Sequence, residues 1–270
     1  MGRLLVHPDP DAADGVVHRI TPASAGWSYV GFELRRLPPG GEASGGEASG
    51  EVEGRELCLV LVSGRARVIA GGQDLGLLGA RMSPFEGGPW SVYVPPGTTW
   101  RAIADGPVEL AICSSPAQGG HPVRVISPDE AGEITRGSGT NARQIRNILP
   151  DTAPAETLLV VEVITPGGHW SSYPPHKHDT DDFPRETYLE ETYYHRLARG
   201  AGFALQRVYT KDGSLDETMA IADGDVVMVP RGYHPVGAPH GFDLYYLNVM
   251  AGPRRAWKFT MDPDQAHLPY

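Results

Sequence analysis

Two histidines one residue apart are the strongest chemical signal in this sequence. His176 and His178 lie in the segment PPHKHD. On a β-strand, residues i and i+2 point to the same face, so the two imidazoles can converge on one metal ion. Lys177, which lies between them, is predicted to point away from that ion. The pair alone is weak evidence, but a Gly-rich turn precedes it, and a carboxylate-bearing strand and a further histidine follow it.

A carboxylate ligand is expected from one of the glutamates that follow the histidine pair. The candidates are Glu186, Glu190 and Glu191. In a strand that begins near residue 190, Glu191 and Tyr193 share one face, whereas Glu190 points to the other. Strand parity alone leaves the choice between the two adjacent glutamates open.

A third histidine is predicted to complete the metal site. His234 directly follows a Pro-Arg-Gly corner at the end of a Val-rich strand, and we prefer it to His240, which is interpreted as an exposed loop residue. Three imidazoles and one carboxylate leave room on the ion for water or substrate, and they suit Zn, Mn, Fe, Co or Ni without choosing among them. We therefore expect one divalent metal ion. The corresponding corner in the first half, PPGTTW, carries no histidine, so no metal is expected there.

Short strands joined by turns must position these residues. The chain is rich in Gly and Pro, and apolar strand-like segments recur along it, which favours an all-β fold of sandwiches or barrels. Val92–Trp100 and Val226–His234 both end in a Pro/Gly corner, so the two halves are interpreted as an internal duplication. We predict two β-barrel domains, residues 1–125 without a metal site and residues 126–270 with one. Residues 115–148 are interpreted as their connection, and Gly40–Gly50 as a surface loop.

The composition narrows the classes of partner. With 23 Lys and Arg against 33 Asp and Glu, the formal net charge is −10, which disfavours nucleic acid and anionic membranes as partners. The two cysteines, Cys58 and Cys113, lie in apolar segments and are expected to be buried free thiols. The N-terminal segment MGRLLVHPDPDAADG lacks the apolar stretch of a signal peptide, and no apolar run is long enough to span a membrane, so the cytoplasm is the expected location.

Several long motifs resemble one enzyme family within the cupin superfamily. The segments GGHWSSYPPHKHDTDD, YLEETYYHRL, VPRGYHPV and YYLNVMAGPRR look like those of the 5-deoxyglucuronate isomerases of myo-inositol catabolism. These enzymes are similar to the 4-deoxy-threo-hexosulose-uronate isomerases. The resemblance covers nearly the whole chain and implies a bicupin of two jelly-roll barrels. It departs from typical cupins in the residues inserted between His178 and Glu191. In the related uronate isomerases the glutamate ligand lies in a Glu-x-Tyr strand, which implies Glu191 here, and the implied metal is zinc.

The resemblance also implies the reaction. A 5-deoxy-D-glucuronate would be converted to 5-dehydro-2-deoxy-D-gluconate by an intramolecular oxidoreductase, with a metal-stabilised enediolate. A base must move the proton between adjacent carbons, and Tyr193 and Tyr246 are candidates. The substrate carboxylate favours a bidentate arginine, for which Arg143, Arg185 and Arg254 are candidates because they lie near the motifs.

Two other functions share the same metal ligands or fold. A metal-dependent cupin dioxygenase also uses three His and one Glu, and would consume oxygen. A non-enzymatic sugar-binding bicupin would be expected to carry a DNA-binding domain, but the sequence shows no such pattern and no basic patch. The expected partner is a small sugar acid. The role of the first barrel is left open between packing, a homo-oligomer interface and one wall of the pocket.

Overall fold

The chain is almost entirely β-structure and divides into two compact units. The structure is a computed structural model and describes residues 4–12, 14–45 and 54–268. The N-terminal unit consists of Asp9–Gly132 and Asn147–Val160, and the C-terminal unit consists of Met1–Pro8, Glu133–Arg146 and Val161–Tyr270. The expected division into residues 1–125 and 126–270 differs from this grouping, because each unit takes a segment from the other half of the sequence.

Among the described residues, 23 strands form these units. In chain order, the first eleven are β1 (Leu5–Val6), β2 (Val16–Ile20), β3 (Gly31–Leu37), β4 (Glu42–Gly45), β5 (Arg55–Ser63), β6 (Ala66–Ala70), β7 (Gln73–Leu78), β8 (Trp90–Val94), β9 (Trp100–Ala104), β10 (Val108–Pro116) and β11 (Arg124–Ile126). The others are β12 (Ile134–Arg136), β13 (Arg143–Leu149), β14 (Leu159–Thr165), β15 (Trp170–Ser171), β16 (His176–Lys177), β17 (Glu190–Leu197), β18 (Ala204–Tyr209), β19 (Asp216–Ile221), β20 (Val226–Val229), β21 (Val236–Gly237), β22 (Leu244–Ala251) and β23 (Thr260–Met261). The helical segments are α1 (Pro22–Ala25), α2 (Pro128–Ala131) and a 3-10 turn (Gly139–Asn141).

Each unit contains two main sheets. In the N-terminal unit a six-stranded sheet has the order β11-β8-β5-β10-β3-β2, and a four-stranded sheet has the order β4-β9-β6-β7. In the C-terminal unit the corresponding orders are β1-β20-β17-β22-β14-β13-β12 and β15-β21-β18-β19, with β16 and β23 forming a separate pair. Side chains from the inner faces of both sheets fill a core in each unit.

The position of a strand in its sheet explains its composition. Strand β6 lies in a four-stranded sheet with one solvated face, and it buries Ala66, Val68 and Ala70 while Arg67 is exposed. Strand β22 lies between β17 and β14, and all eight of its residues are buried. Alternating buried and exposed residues are typical of a strand with one solvated face. A continuous apolar run is typical of a strand that is buried on both faces.

Two segments interpreted as loops contain strands. Part of the predicted loop Gly40–Gly50 is strand β4, which pairs with β9 from Glu42↔Ile103 to Gly45↔Trp100; the rest lies outside the described residues. The predicted connection at residues 115–148 contains β11, α2, β12 and most of β13. Both cysteines are buried and free, as expected. No helix among the described residues is long and apolar enough to cross a membrane.

Candidate functional site

Three histidines meet inside the C-terminal unit. His176 lies on β16, which pairs with β23 through His176↔Met261, and His178 follows on the same extended segment. His234 comes from the corner after β20. One ring nitrogen from each histidine lies within 4.8 Å of the others, and all three side chains are buried. The predicted histidines are therefore close enough to share one ion.

A buried carboxylate lies beside this histidine cluster. On β17, one Oε atom of Glu191 lies 3.1 Å from Nε2 of both His178 and His234. The other Oε atom accepts a hydrogen bond from the Asn248 side chain on β22. Glu190 is not part of the pocket lining that Glu191 joins, as strand alternation predicts. The structure thus brings Glu191 to the histidines.

Backbone carbonyl groups orient two of the imidazole rings. Nδ1 of His178 lies 3.1 Å from the Leu189 carbonyl oxygen, and Nδ1 of His234 lies 2.8 Å from that of Gly232. When Nδ1 donates these bonds, each Nε2 is left with a lone pair that faces the cluster. Both ring nitrogens of His176 are buried without a hydrogen-bond partner among the described residues. Buried acceptors of this kind fit a metal ion.

The electrostatics of the cluster also suit a cation. Burial and the neighbouring histidines hold the pKa of His176 well below its usual range. Burial would raise the pKa of Glu191, but the charges on His234 and His178 outweigh it and lower that pKa. Burial also opposes the charged form of His178, but the Glu191 carboxylate outweighs this effect and raises the pKa of His178. A buried, ionised carboxylate requires a compensating positive charge, which a divalent ion provides.

Two tyrosines lie beside the cluster in the same pocket. The rings of Tyr193 on β17 and Tyr246 on β22 pack at a tilt, with their centres 4.9 Å apart, and both line the pocket with Glu191. The Tyr193 hydroxyl lies 3.2 Å from Oγ of Ser172. Burial, followed by the Glu191 charge, raises the pKa of Tyr193 well above its usual range, and burial raises the pKa of Tyr246. Both phenols therefore stay protonated at neutral pH, which suits hydrogen-bond donation better than proton removal.

Of the three predicted arginines, one lies in this pocket. Arg143 is 4% exposed and lines it. Arg185 is 81% exposed and pairs with Asp182, and Arg254 lies 4.5 Å from the centre of the Phe183 ring at the surface. Arg185 and Arg254 are thus absent from the lining of this pocket, because both lie on turns at the surface. The expectation that one of the three arginines binds the substrate carboxylate stays a prediction, and Arg143 is the candidate that lies in the pocket.

Three further lining residues were not predicted from the sequence. Arg136 on β12 lies 5.8 Å from the centre of the Trp257 ring, and Trp257 and Phe259 complete an aromatic wall. Phe259 also contacts the His176 ring, with a centroid distance of 4.7 Å. Arg136 lies in the segment interpreted as a connection, and the aromatic pair follows the last long strand without a strand pattern of its own.

Comparisons with known proteins match this chain to one family. The sequence profile described as the KduI/IolB family matches residues 4–268. The 5-deoxy-glucuronate isomerase of Geobacillus kaustophilus is 51% identical over 98% of this chain and 94% of its own length. The Bacillus subtilis protein of that name is 45% identical, with 97% of each chain covered.

Solved structures agree with the sequence comparisons. The crystal structure of an IolB-like protein from Salmonella typhimurium LT2 superposes with a TM-score of 0.93 at 50% identity, and the match covers 98% of both chains. Oxalate decarboxylase from Bacillus subtilis superposes with a TM-score of 0.65 at 14% identity over 97% of this chain and 78% of its own. At that identity the second likeness shows the fold alone.

Proposed function

The chain belongs to the KduI/IolB family, and on that premise we propose that it is a 5-deoxy-glucuronate isomerase. The reaction converts 5-deoxy-D-glucuronate to 5-dehydro-2-deoxy-D-gluconate, an aldose–ketose isomerisation and thus an intramolecular oxidoreduction. The observation that carries this proposal is 51% identity to an isomerase of that name over nearly the full length of both proteins. The bicupin fold agrees with it, and the chemistry of the pocket supports it independently.

We further propose that one divalent metal ion is held by His176, His178, Glu191 and His234. The convergence of their ring nitrogens and the contacts of Glu191 with two of them support this assignment. A divalent ion bound there supplies electrostatic stabilisation to the negative charge that develops on the substrate oxygens. Nitrogen and carboxylate ligands accept Zn, Mn, Fe, Co or Ni, and the family resemblance favours Zn among them.

The remaining lining residues are assigned to substrate binding. Arg143, with Arg136 beside it, is placed to bind the sugar carboxylate, because a guanidinium offers two parallel hydrogen bonds to a carboxylate. The protonated phenols of Tyr193 and Tyr246 are placed to donate hydrogen bonds to substrate oxygens. Trp257 and its aromatic neighbour close one wall and shield the pocket from water.

The proposal is tested by following the sugar directly. Purified protein is mixed with 5-deoxy-D-glucuronate, and proton NMR records the conversion before chelation, after chelation and after one divalent metal has been restored. We expect formation of the ketose, its loss on chelation and its recovery with metal. Folded, metal-replete protein that converts no substrate would overturn the proposal, and oxygen uptake by that protein would favour a dioxygenase instead.

A further inference from the structure

The N-terminal unit contains a pocket that the proposed isomerisation does not use. It lies where β2, β3, β5, β9 and β10 approach one another and has a volume of about 430 Å³. Cavities of roughly 300–1,000 Å³ are typical of small-molecule sites. We call it the N-terminal pocket, and its main lining residues are Arg19, Glu33, Arg35, Arg55, Leu57 and Trp100.

The position of this pocket in its barrel corresponds to that of the metal cluster in the other barrel. Leu57 on β5 pairs with Val94, the last residue of β8, which a proline follows. Glu191 on β17 pairs with Val229, the last residue of β20, which a proline also follows. Leu57 therefore occupies the register position of the carboxylate. A ligand of the N-terminal pocket would meet an apolar side chain at that position.

A buried donor at this pocket lacks a hydrogen-bond partner. The Trp100 side chain is 5% exposed, and its Nε1 forms no hydrogen bond to any described residue. A buried indole N–H usually has an acceptor. Gly45, which also lines the pocket, packs against this ring, since a Cβ atom there would lie 2.8 Å from Nε1. Among the described residues this N–H thus has no acceptor, and a ligand oxygen would supply one.

The charge of the lining is positive although the chain as a whole is negative. Three arginines face one glutamate, so the formal charge of the ionisable lining residues is 3 − 1 = +2. Nε of Arg19 lies 3.1 Å and Nε of Arg35 lies 2.5 Å from the two oxygens of Glu33, so one carboxylate is shared between two guanidinium groups. Arg55 is held by the Tyr29 carbonyl oxygen at 2.6 Å, which fixes its position at the pocket. Preorganised guanidinium groups in excess recognise carboxylates.

From these observations we propose that the N-terminal pocket binds a small organic carboxylate without a metal. The guanidinium groups of Arg35 and Arg19 take its carboxylate, and the Trp100 Nε1–H donates to one of its oxygens. Leu57 and Ile112, both part of the barrel core, contact its carbon skeleton. This inference goes beyond the isomerase function and does not rest on it.

The test measures binding of D-glucuronate to the full chain by isothermal titration calorimetry, with neutral D-glucose and inorganic phosphate as matched probes. We expect the titration with D-glucuronate to show a binding component that the titration with D-glucose lacks. Arg35→Gln should weaken this component about 10-fold or more, because it removes the guanidinium charge and its paired donors. Trp100→Phe should weaken it by about 3- to 10-fold, because it removes one N–H donor. Arg143→Gln, in the other unit, should leave it unchanged.

A gain of affinity separates this proposal from simple damage to the fold. Glu33→Gln removes the competing carboxylate while keeping the shape of the side chain, so the affinity for D-glucuronate should rise several-fold. The proposal is overturned if Glu33→Gln and Arg35→Gln bind D-glucuronate as the wild type does. Equal binding of D-glucose would also overturn it, as would tighter binding of phosphate. Isomerase activity is assayed separately, so its loss or presence does not affect either result.

Discussion

A single Glu191 oxygen contacts two histidines at 3.1 Å, and this shared contact makes the side chain central to the cluster. The second oxygen is held by Asn248, so the carboxylate cannot rotate freely. Because the carboxylate is the only negative charge among the four proposed ligands, it contributes charge neutralisation that the imidazoles cannot. Substitution of Glu191 should therefore affect metal content before it affects the fold.

We predict that Glu191→Gln loses most of its bound metal and most of its turnover. The amide keeps the shape and can still accept from Asn248, but it lacks the charge; ligand-shell changes commonly reduce metal affinity by about 10- to 100-fold or more. Metal content by plasma mass spectrometry and turnover by NMR measure the two effects. Glu190→Gln, the same change one residue earlier and outside the pocket, is the control. Full metal content and turnover in Glu191→Gln would show that the ligand assignment is wrong.

Arg143 should matter for substrate binding. Loss of a hydrogen bond to a charged group lowers affinity by about 10- to 100-fold, so Arg143→Gln should raise KM for 5-deoxy-D-glucuronate by that factor and change kcat less. Arg185→Gln should leave both constants unchanged, because its side chain is 81% exposed. Steady-state kinetics on metal-replete protein separates these outcomes. An unchanged KM in Arg143→Gln would remove this residue from the carboxylate site.

His195 should make stability depend on pH. Its ring is completely buried, Nε2 lies 3.1 Å from the Gln206 side-chain oxygen, and burial lowers its pKa to about 4. The unfolded chain binds the proton at the usual pKa near 6.5, so this stabilisation is present above pH 6.5 and is lost as the pH falls towards 4. At pH 5 the loss amounts to about 2 kcal/mol.

Urea unfolding at pH 7.5 and pH 5 tests this dependence. The wild type should lose about 2 kcal/mol more than His195→Gln between the two pH values. His240→Gln changes an exposed histidine and should behave as the wild type does. Equal losses in wild type and His195→Gln would exclude a contribution from this ring.

The residues with regular spacing could be predicted from the sequence, and the others could not. Strand alternation indicated that His176 and His178 share one face, and the proline corner before His234 indicated the third histidine. The choice of Glu191 required a family resemblance, because parity left two glutamates open. Arg136 and Trp257 come from segments in which apolar residues have no regular spacing, and only the tertiary fold brings them to the pocket.

At the scale of elements, a buried ion pair joins the strands behind the pocket. Arg146 on β13 donates to Glu162 on β14 at 2.9 Å, and Tyr245 on β22 donates to the other oxygen of Glu162 at 3.1 Å. Glu133 contacts the same guanidinium from the edge of the sheet. The pair therefore spans three neighbouring strands of the seven-stranded sheet.

We predict that Arg146→Met destabilises the protein strongly. The substitution leaves the Glu162 carboxylate, which is 1% exposed, without this guanidinium, and removal of one partner of a buried ion pair costs about 3–5 kcal/mol. Arg207→Met breaks an exposed pair with Asp216 and should change stability far less, because water screens that pair. Urea unfolding at pH 7.5 measures how much stability each of the two variants loses relative to the wild type. A loss in Arg146→Met no larger than in Arg207→Met would show that the buried pair does not stabilise the sheet.

The all-β bicupin fold was predicted correctly, and the errors concern short strands. Strands β6 and β8 are five-residue apolar or alternating runs between turn residues, which is the pattern on which the all-β prediction rests. Strands β11 and β12 have three residues each, and β12 is largely exposed. Such short strands depend on pairing with a neighbour, through Arg124↔Tyr93 for example, and their own sequence carries too little periodicity to reveal them.

At the scale of the whole molecule, a net charge of −10 contrasts with two arginine-lined pockets. An acidic surface repels small anions at long range, although salt screens this effect beyond about 10 Å. A pocket that binds an anion in this protein therefore needs guanidinium groups of its own. Arg143 and Arg136 line the pocket of the C-terminal unit, and Arg35 and Arg19 line that of the N-terminal unit; these are the residues to which we assign anion binding.

The stability of the whole chain should depend on the proposed metal ion. The segment that carries His176 and His178 is far from His234 in sequence, so an unfolded chain cannot reproduce the site. An ion that binds only the folded state stabilises it by mass action. At a free ion concentration 100 times Kd, this stabilisation is about 2.7 kcal/mol. Differential scanning calorimetry should show a lower Tm for chelated than for metal-replete protein, with recovery on addition of Zn²⁺. The same chelation should change the Tm of Glu191→Gln much less, because that variant has little metal to lose. An identical fall in Tm in both proteins would mean that the chelator acts elsewhere, and no fall in the wild type after verified metal removal would contradict a site that is coupled to folding.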